Sequence, residues 1–337
     1  MSVHVLHGQP YMEQLRRDQM DRLIAPLSNA LDDWGIMPDD DDPPPRPLPE
    51  LEAAIERARQ LRAVSEYATL AQETPALLAE TSCAVLLHAS PGRDRERAHW
   101  LQAEAAIGAF SVAYKFGYMD LARLALSRMA MAAPQSGDPR QVAAERLKRA
   151  QLSAEGPALE QGLRLVRQGL RDLESDGTTE TRAMRGGLLL KGGQLTALRT
   201  GGQDADEWFD EARVLAEELG ETDCYMLAFG PTNVAQHVVA AAGDHDEHGR
   251  AVQLASEVRL PAGYSAARSG QFWIDYARSL ALTARRDEAI TALERARRVS
   301  PLQTRYHATT RLTMGVLLRA RGQTPPRVRT FAQWSGV

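Results

Sequence analysis

The sequence predicts an all-α protein built from paired antiparallel helices. Apolar residues recur at three- and four-residue spacing along nearly all of its 337 residues, and the two-residue alternation of strands is almost absent. Short Gly- and Pro-containing breakers divide that pattern at intervals suited to helix hairpins. A small-residue motif also repeats: Ala212, Ala251 and Ala292 stand 39 and 41 residues apart, each with a second alanine four residues on.

Along the chain, residues 1–10 are a short apolar piece around Val3, Val5 and Leu6, too small to fold alone. In 11–34 the residues Leu15, Leu23, Ile24, Leu27, Leu31 and Trp34 follow helical spacing, and Pro26 is expected to bend or split that helix. Residues 38–49 hold six prolines and the run Asp39–Asp42, which favours extended backbone and marks 11–49 as a helical connector and linker. From Leu51, Ala54, Ile55 and Ala58 onward the pattern is helical, with breaks expected at Pro75, 90–92, 134–139, 155–157, 175–177, 201–202, Gly220, Gly243 and 260–263.

Alanines four apart let paired helices approach closely, as in the tetratricopeptide repeat of about 34 residues. The intervals here are longer, so 50–322 is read as a loose tetratricopeptide-like α-solenoid. Asp287-Glu288-Ala289, followed by Ala292, Ala296 and Pro301, is its best single match. A capping helix is expected near Tyr306 to Arg319, and 323–337 is read as a flexible tail.

Forty basic and forty-four acidic side chains leave a net charge of −4, so no global field attracts nucleic acid or an anionic membrane. No apolar run reaches the roughly 20 residues of a membrane span and no signal peptide is legible, so a soluble, cytoplasmic protein is expected. Cys83 and Cys224 lie far apart in apolar patterns and read as buried thiols.

Chemistry-bearing motifs are sparse. His245 and His248 follow Gly243 at a helix-to-helix turn, where polar residues are expected without a metal. Neither cysteine has a neighbouring histidine, and no nucleophile elbow occurs, so neither enzyme activity nor a cofactor is expected. The pairs Gly186-Gly187 and Gly192-Gly193 fall inside a helical pattern and read as close helix packing.

The one internal Gly-Pro-Thr-Asn stretch is Phe229-Gly230-Pro231-Thr232-Asn233, where a helix must kink or restart at Pro231. Phe229, Asn233 and His237 are four apart and share a face. Arg268, Phe272 and Tyr276, beside Gln271 and Asp275, form a matching set on the first helix of the next repeat. First helices line the concave face of such solenoids, so these eight residues are the candidate contacts for a peptide or small polar ligand. Free N–H groups at the restarted helix would suit a carboxylate. Phe272 and Tyr276 as core, and Asn233 as a cap, are the structural alternatives.

The passage 225–237 and the repeat ending at Ser300-Pro301 resemble the C-terminal region of actinobacterial regulators of the XRE helix-turn-helix class, with Phe229 to Val234 the sharpest match. Residues 2–11 look like the last helix of that family's DNA-binding domain. The resemblance implies the sensory and dimerising part of a transcriptional regulator, a homodimer that reaches DNA only through a helix-turn-helix absent from these residues. A free-standing repeat adaptor that binds a protein partner stays open as the alternative.

Overall fold

A computed structural model describes residues 9–36, 39, 43–153, 158–200, 202–320 and 323–337. Among them the chain forms sixteen α-helices and no strand, only an isolated bridge between Thr222 and Phe229. The fold is an all-α helical-repeat solenoid whose helices pack in neighbouring pairs. It divides into two compact units, one running to Ser136 and the other starting at Gly137. Among the described residues, no helix is long and apolar enough to cross a membrane. The stretch read as a helix-turn-helix remnant, 1–10, lies outside the described residues except for the first two residues of α1.

The first unit holds α1 (Gln9–Asp32), α2 (Leu48–Ala63), α3 (Tyr67–Leu87), α4 (Arg93–Phe116) and α5 (Met119–Ala132), closed by a 3₁₀ turn (Ala133–Ser136). α4 sits between α3 and α5. Ala98, Ala103, Ala105, Ala106, Ala109 and Ala113 are all buried there, so small side chains let both neighbours approach. The helix stops at Gly117, whose φ of 86° suits glycine and whose N–H caps Ala113 and Tyr114. Two expected breaks do not occur, since α1 runs through Pro26 and α3 through Pro75. Each proline removes one backbone bond, and α3 offsets that loss by burying Leu70, Leu77 and Leu78.

The second unit holds α6 (Pro139–Gln151), α7 (Ala158–Asp172), α8 (Thr179–Thr200), α9 (Gly202–Leu219), α10 (Pro231–Asp244), α11 (His248–Glu257), α12 (Ala266–Leu282), α13 (Arg286–Val299), α14 (Pro301–Tyr306), α15 (Ala308–Arg319) and α16 (Pro326–Ser335). Hairpins α6/α7, α8/α9, α10/α11, α12/α13 and α15/α16 follow one another. Their first helices also pack in a row, α6 on α8, α8 on α10, α10 on α12 and α12 on α15. That row positions the site.

The glycine pairs are notches for aromatic rings. A Cβ on Gly186 would lie 2.1 Å from Phe229, one on Gly192 2.4 Å from Trp208, and one on Gly193 2.6 Å from Phe209. Two readings need correction. The stretch read as a flexible tail contains α16, which buries Val328, Phe331 and Ala332 and sets Trp334 under the Arg297 guanidinium at 4.4 Å; one apolar face on ten residues is enough to dock a helix, despite Pro325-Pro326 before it. The cysteines are half-buried rather than buried, and Cys224 Sγ accepts a hydrogen bond from Thr222 Oγ1 at 3.1 Å.

Candidate functional site

α10 starts where the sequence requires, with Gly230 at its N-cap and Pro231 at its first turn. The chain reaches that start through a tight loop. Tyr225, Met226 and Ala228 all have left-handed backbone, with φ of 52°, 54° and 46°, a conformation that costs L-residues roughly 1–2 kcal/mol each. Side chains from three places hold the loop. Asn233 Nδ2 donates to the carbonyls of Leu227 (3.1 Å) and Ala228 (2.9 Å). Arg268, on α12, donates to the same Leu227 carbonyl at 3.2 Å, and the Ala228 N–H donates to Asp223 Oδ1 at 3.1 Å.

Asn233 therefore acts as a brace rather than a simple cap. Its Oδ1 is buried without a hydrogen-bond partner, and its side chain is 1% exposed as a whole. The Tyr264 hydroxyl lies close enough to the Asn233 side chain for that group to lower its pKa against the rise that burial imposes, and it donates to Gln236 Oε1 at 3.4 Å. Gln236 Nε2 is buried and also unpartnered. An acceptor and a donor with unmet capacity thus sit near each other on α10, each costing about 1–3 kcal/mol while unsatisfied.

His237 stands one turn beyond Asn233, with Nδ1 2.9 Å from the Asn233 carbonyl. A carbonyl only accepts, so Nδ1 carries the proton and Nε2 is a bare acceptor. Burial pushes the His237 pKa down to about 3, helped by the nearby charges of Arg268 and Lys191. The ring is neutral at physiological pH.

Lys191 enters from α8. Burial lowers its pKa to about 8, Arg268 adds to that effect, and Asp244 opposes it. Its Nζ donates to Gln194 Oε1 at 2.5 Å, Gln194 Nε2 donates to Asp244 at 3.4 Å, and Asp244 accepts from Arg278 at 2.7 Å. A polar seam therefore runs along α8, α10 and α12, the first helices of three successive hairpins.

Of the eight residues singled out in the sequence, Asn233, His237 and Arg268 converge. Gln271 and Asp275 lie further along α12, where Gln271 Nε2 donates to both Asp275 oxygens at 3.2 Å and its Oε1 accepts from Gln303 at 3.2 Å. The other three are packing residues, which corrects their reading as ligand contacts. Phe229 is 1% exposed and fills the Gly186 notch. Phe272 is 3% exposed against Val239 and Ala255, and Tyr276 packs on the same cluster. The expectation that the start of α10 offers free N–H groups is corrected as well, because the Glu221 carboxylate already accepts from Thr232 N at 2.8 Å.

The sequence reading missed Lys191, Gln194, Gln236, Asp244, Tyr264 and Arg278. One signal was present. Only three of the forty basic residues are lysine, and Lys191 is alone among them in following three leucines between two glycine pairs. Among the described residues, no group of three metal-competent side chains converges. No family model matches this chain, and neither does any curated protein or solved structure.

Proposed function

We propose that the second unit is a ligand-binding repeat module, taking a peptide or small polar molecule in the seam of α8, α10 and α12. One observation carries this reading: among the described residues, Asn233 Oδ1 and Gln236 Nε2 are buried without partners beside Arg268, whose hydrogen bond is to a neutral carbonyl. Folded chains rarely leave such groups unmet unless something else satisfies them. The braced loop links the seam to backbone conformation, because Arg268 and Asn233 both hold Leu227. A ligand that engages either side chain shifts the balance that keeps the loop in place.

The resemblance at 229–234 extends the proposal to the sensory and dimerising part of a cytoplasmic transcriptional regulator. Thermal melts of the chain against panels of peptides and metabolites test the binding step, since a ligand of the folded state raises the melting temperature by mass action. Hits lost in Asn233→Ala and in Arg268→Gln support the seam. Hits unchanged in both variants place the site elsewhere. The adaptor reading is the second, favoured by Leu282 (49% exposed) and Leu312 (68% exposed) on the second unit. Co-purification of a protein partner that is lost when those leucines become serine, and kept in Asn233→Ala, would decide for it.

A further inference from the structure

We infer that the seam takes a carboxylate carried next to a secondary amide, with the carboxylate between Lys191 and Arg268 and the amide on Asn233 Oδ1 and Gln236 Nε2. This rests on the ligand-binding reading above and names the ligand class. The C-terminal end of a short peptide and an N-acylated amino acid share that chemistry.

The charge balance points to an anion. Arg278 has its carboxylate in Asp244 at 2.7 Å. Lys191 and Arg268 have no carboxylate within salt-bridge distance among the described residues, and their partners are the neutral oxygens of Gln194 and Leu227. An ionised acceptor forms the stronger bond with either cation, so both neutral contacts are exchangeable. Asp244, Asp275 and Asp246 act chiefly on Arg278, whereas of these only Asp244 acts on Lys191. Glu221 and Asp223 lie on the loop side, near Tyr264, each already accepting from a backbone N–H.

The hydrogen-bonding groups point to the amide. An amide N–H satisfies the orphan oxygen of Asn233, and an amide carbonyl satisfies the orphan nitrogen of Gln236. His237 is neutral and offers Nε2 only as an acceptor, so it adds no third cation to draw a second acid. Lys191, Arg268 and His237 are each half-buried as whole residues.

The test uses the whole chain and two pools of mixed-sequence N-acetylated tripeptides, one with a free C-terminal carboxyl and one with a carboxamide. Calorimetric titration is expected to show the acid pool binding at least about tenfold more tightly, the worth of one charge-assisted hydrogen bond. Lys191→Met and Arg268→Gln should each remove that preference. Arg268→Gln also loses the Leu227 contact, so Lys191→Met, which touches no loop carbonyl, keeps the test clean should the first variant misfold. Raising the pH from 7 to 10 should weaken acid binding in the parent chain as Lys191 loses its proton, and not in Lys191→Met. N-acetyl amino acids as a third arm separate the two sources: full affinity there assigns the acylated amino acid, and gain with each added residue assigns the peptide. Equal binding of acid and amide pools, lost together in Asn233→Ala, overturns the carboxylate and leaves the ligand-binding reading standing. No binding of either pool at millimolar concentration also overturns it, and the wider panel then decides the binding reading alone.

Discussion

α4 and α8 are the long central helices of their units, and they meet their neighbours by different means. α4 presents alanines, which let α3 and α5 approach without fixing any single contact. α8 presents glycines, and rings from α9 and from the chain entering α10 occupy the spaces left. The consequence is positional. With Phe229 seated in the Gly186 notch, the turn that follows is fixed, and Asn233 four residues later is held where it braces the loop. Their buried charges differ too. Glu104 of α4 faces Arg62 at 3.9 Å, both nearly inaccessible, while Lys191 of α8 has no carboxylate within salt-bridge distance among the described residues. One helix completes its own interior, and the other leaves capacity for a further group.

The sharpest way to break this comparison is at the charges. Glu104→Ala should destabilise the first unit by about 3 kcal/mol, because it removes the carboxylate that faces a buried guanidinium. Urea unfolding measures that directly, and a neutral result would show that the pair does not matter. Gly186→Ala comes next, at about 3 kcal/mol or slightly less, since the new methyl group overlaps the buried Phe229 ring. Melting of that variant alongside Gly186→Ala/Phe229→Leu, where the smaller side chain restores room, would separate overlap from propensity.

A smaller effect is expected with pH. His237 stays neutral in the folded chain down to about pH 3, while an unfolded histidine takes up its proton near 6.5. The unfolded state therefore binds the extra proton throughout that window, and stability should fall as pH drops from 6.5 toward 3. His237→Gln should flatten the slope of stability between pH 6.5 and 4 relative to the parent chain; parallel slopes would mean that the ring is not shielded. Lys191→Met should change stability by less than about 1 kcal/mol, and upward if at all, because it removes an uncompensated cation. Gly108→Ala in α4 gives the smallest change, a gain of about 0.5–1 kcal/mol from helix propensity. Its new methyl group would meet Thr74 at an ordinary 3.6 Å, in contrast to the 2.1 Å overlap at Gly186.

The sequence by itself determined the helical class, a kink or restart at Pro231, and the reading of the paired glycines as packing positions. Each depends on local backbone physics: side-chain periodicity, the missing N–H of proline, and the absence of a Cβ. It also picked out Asn233, His237 and Arg268, because helical spacing and polar character are visible in one dimension. Tertiary structure decided which aromatic residues are core, since Phe229 and Phe272 become interior only once a notch or a neighbouring helix covers them. It decided that Pro26 and Pro75 are carried inside helices and that α16 docks, because burial outweighs weak local preference. It brought Lys191, from α8, to Arg268 on α12, 77 positions apart in the chain. No local pattern encodes that meeting, because the energy of a charge depends on which groups the fold places around it.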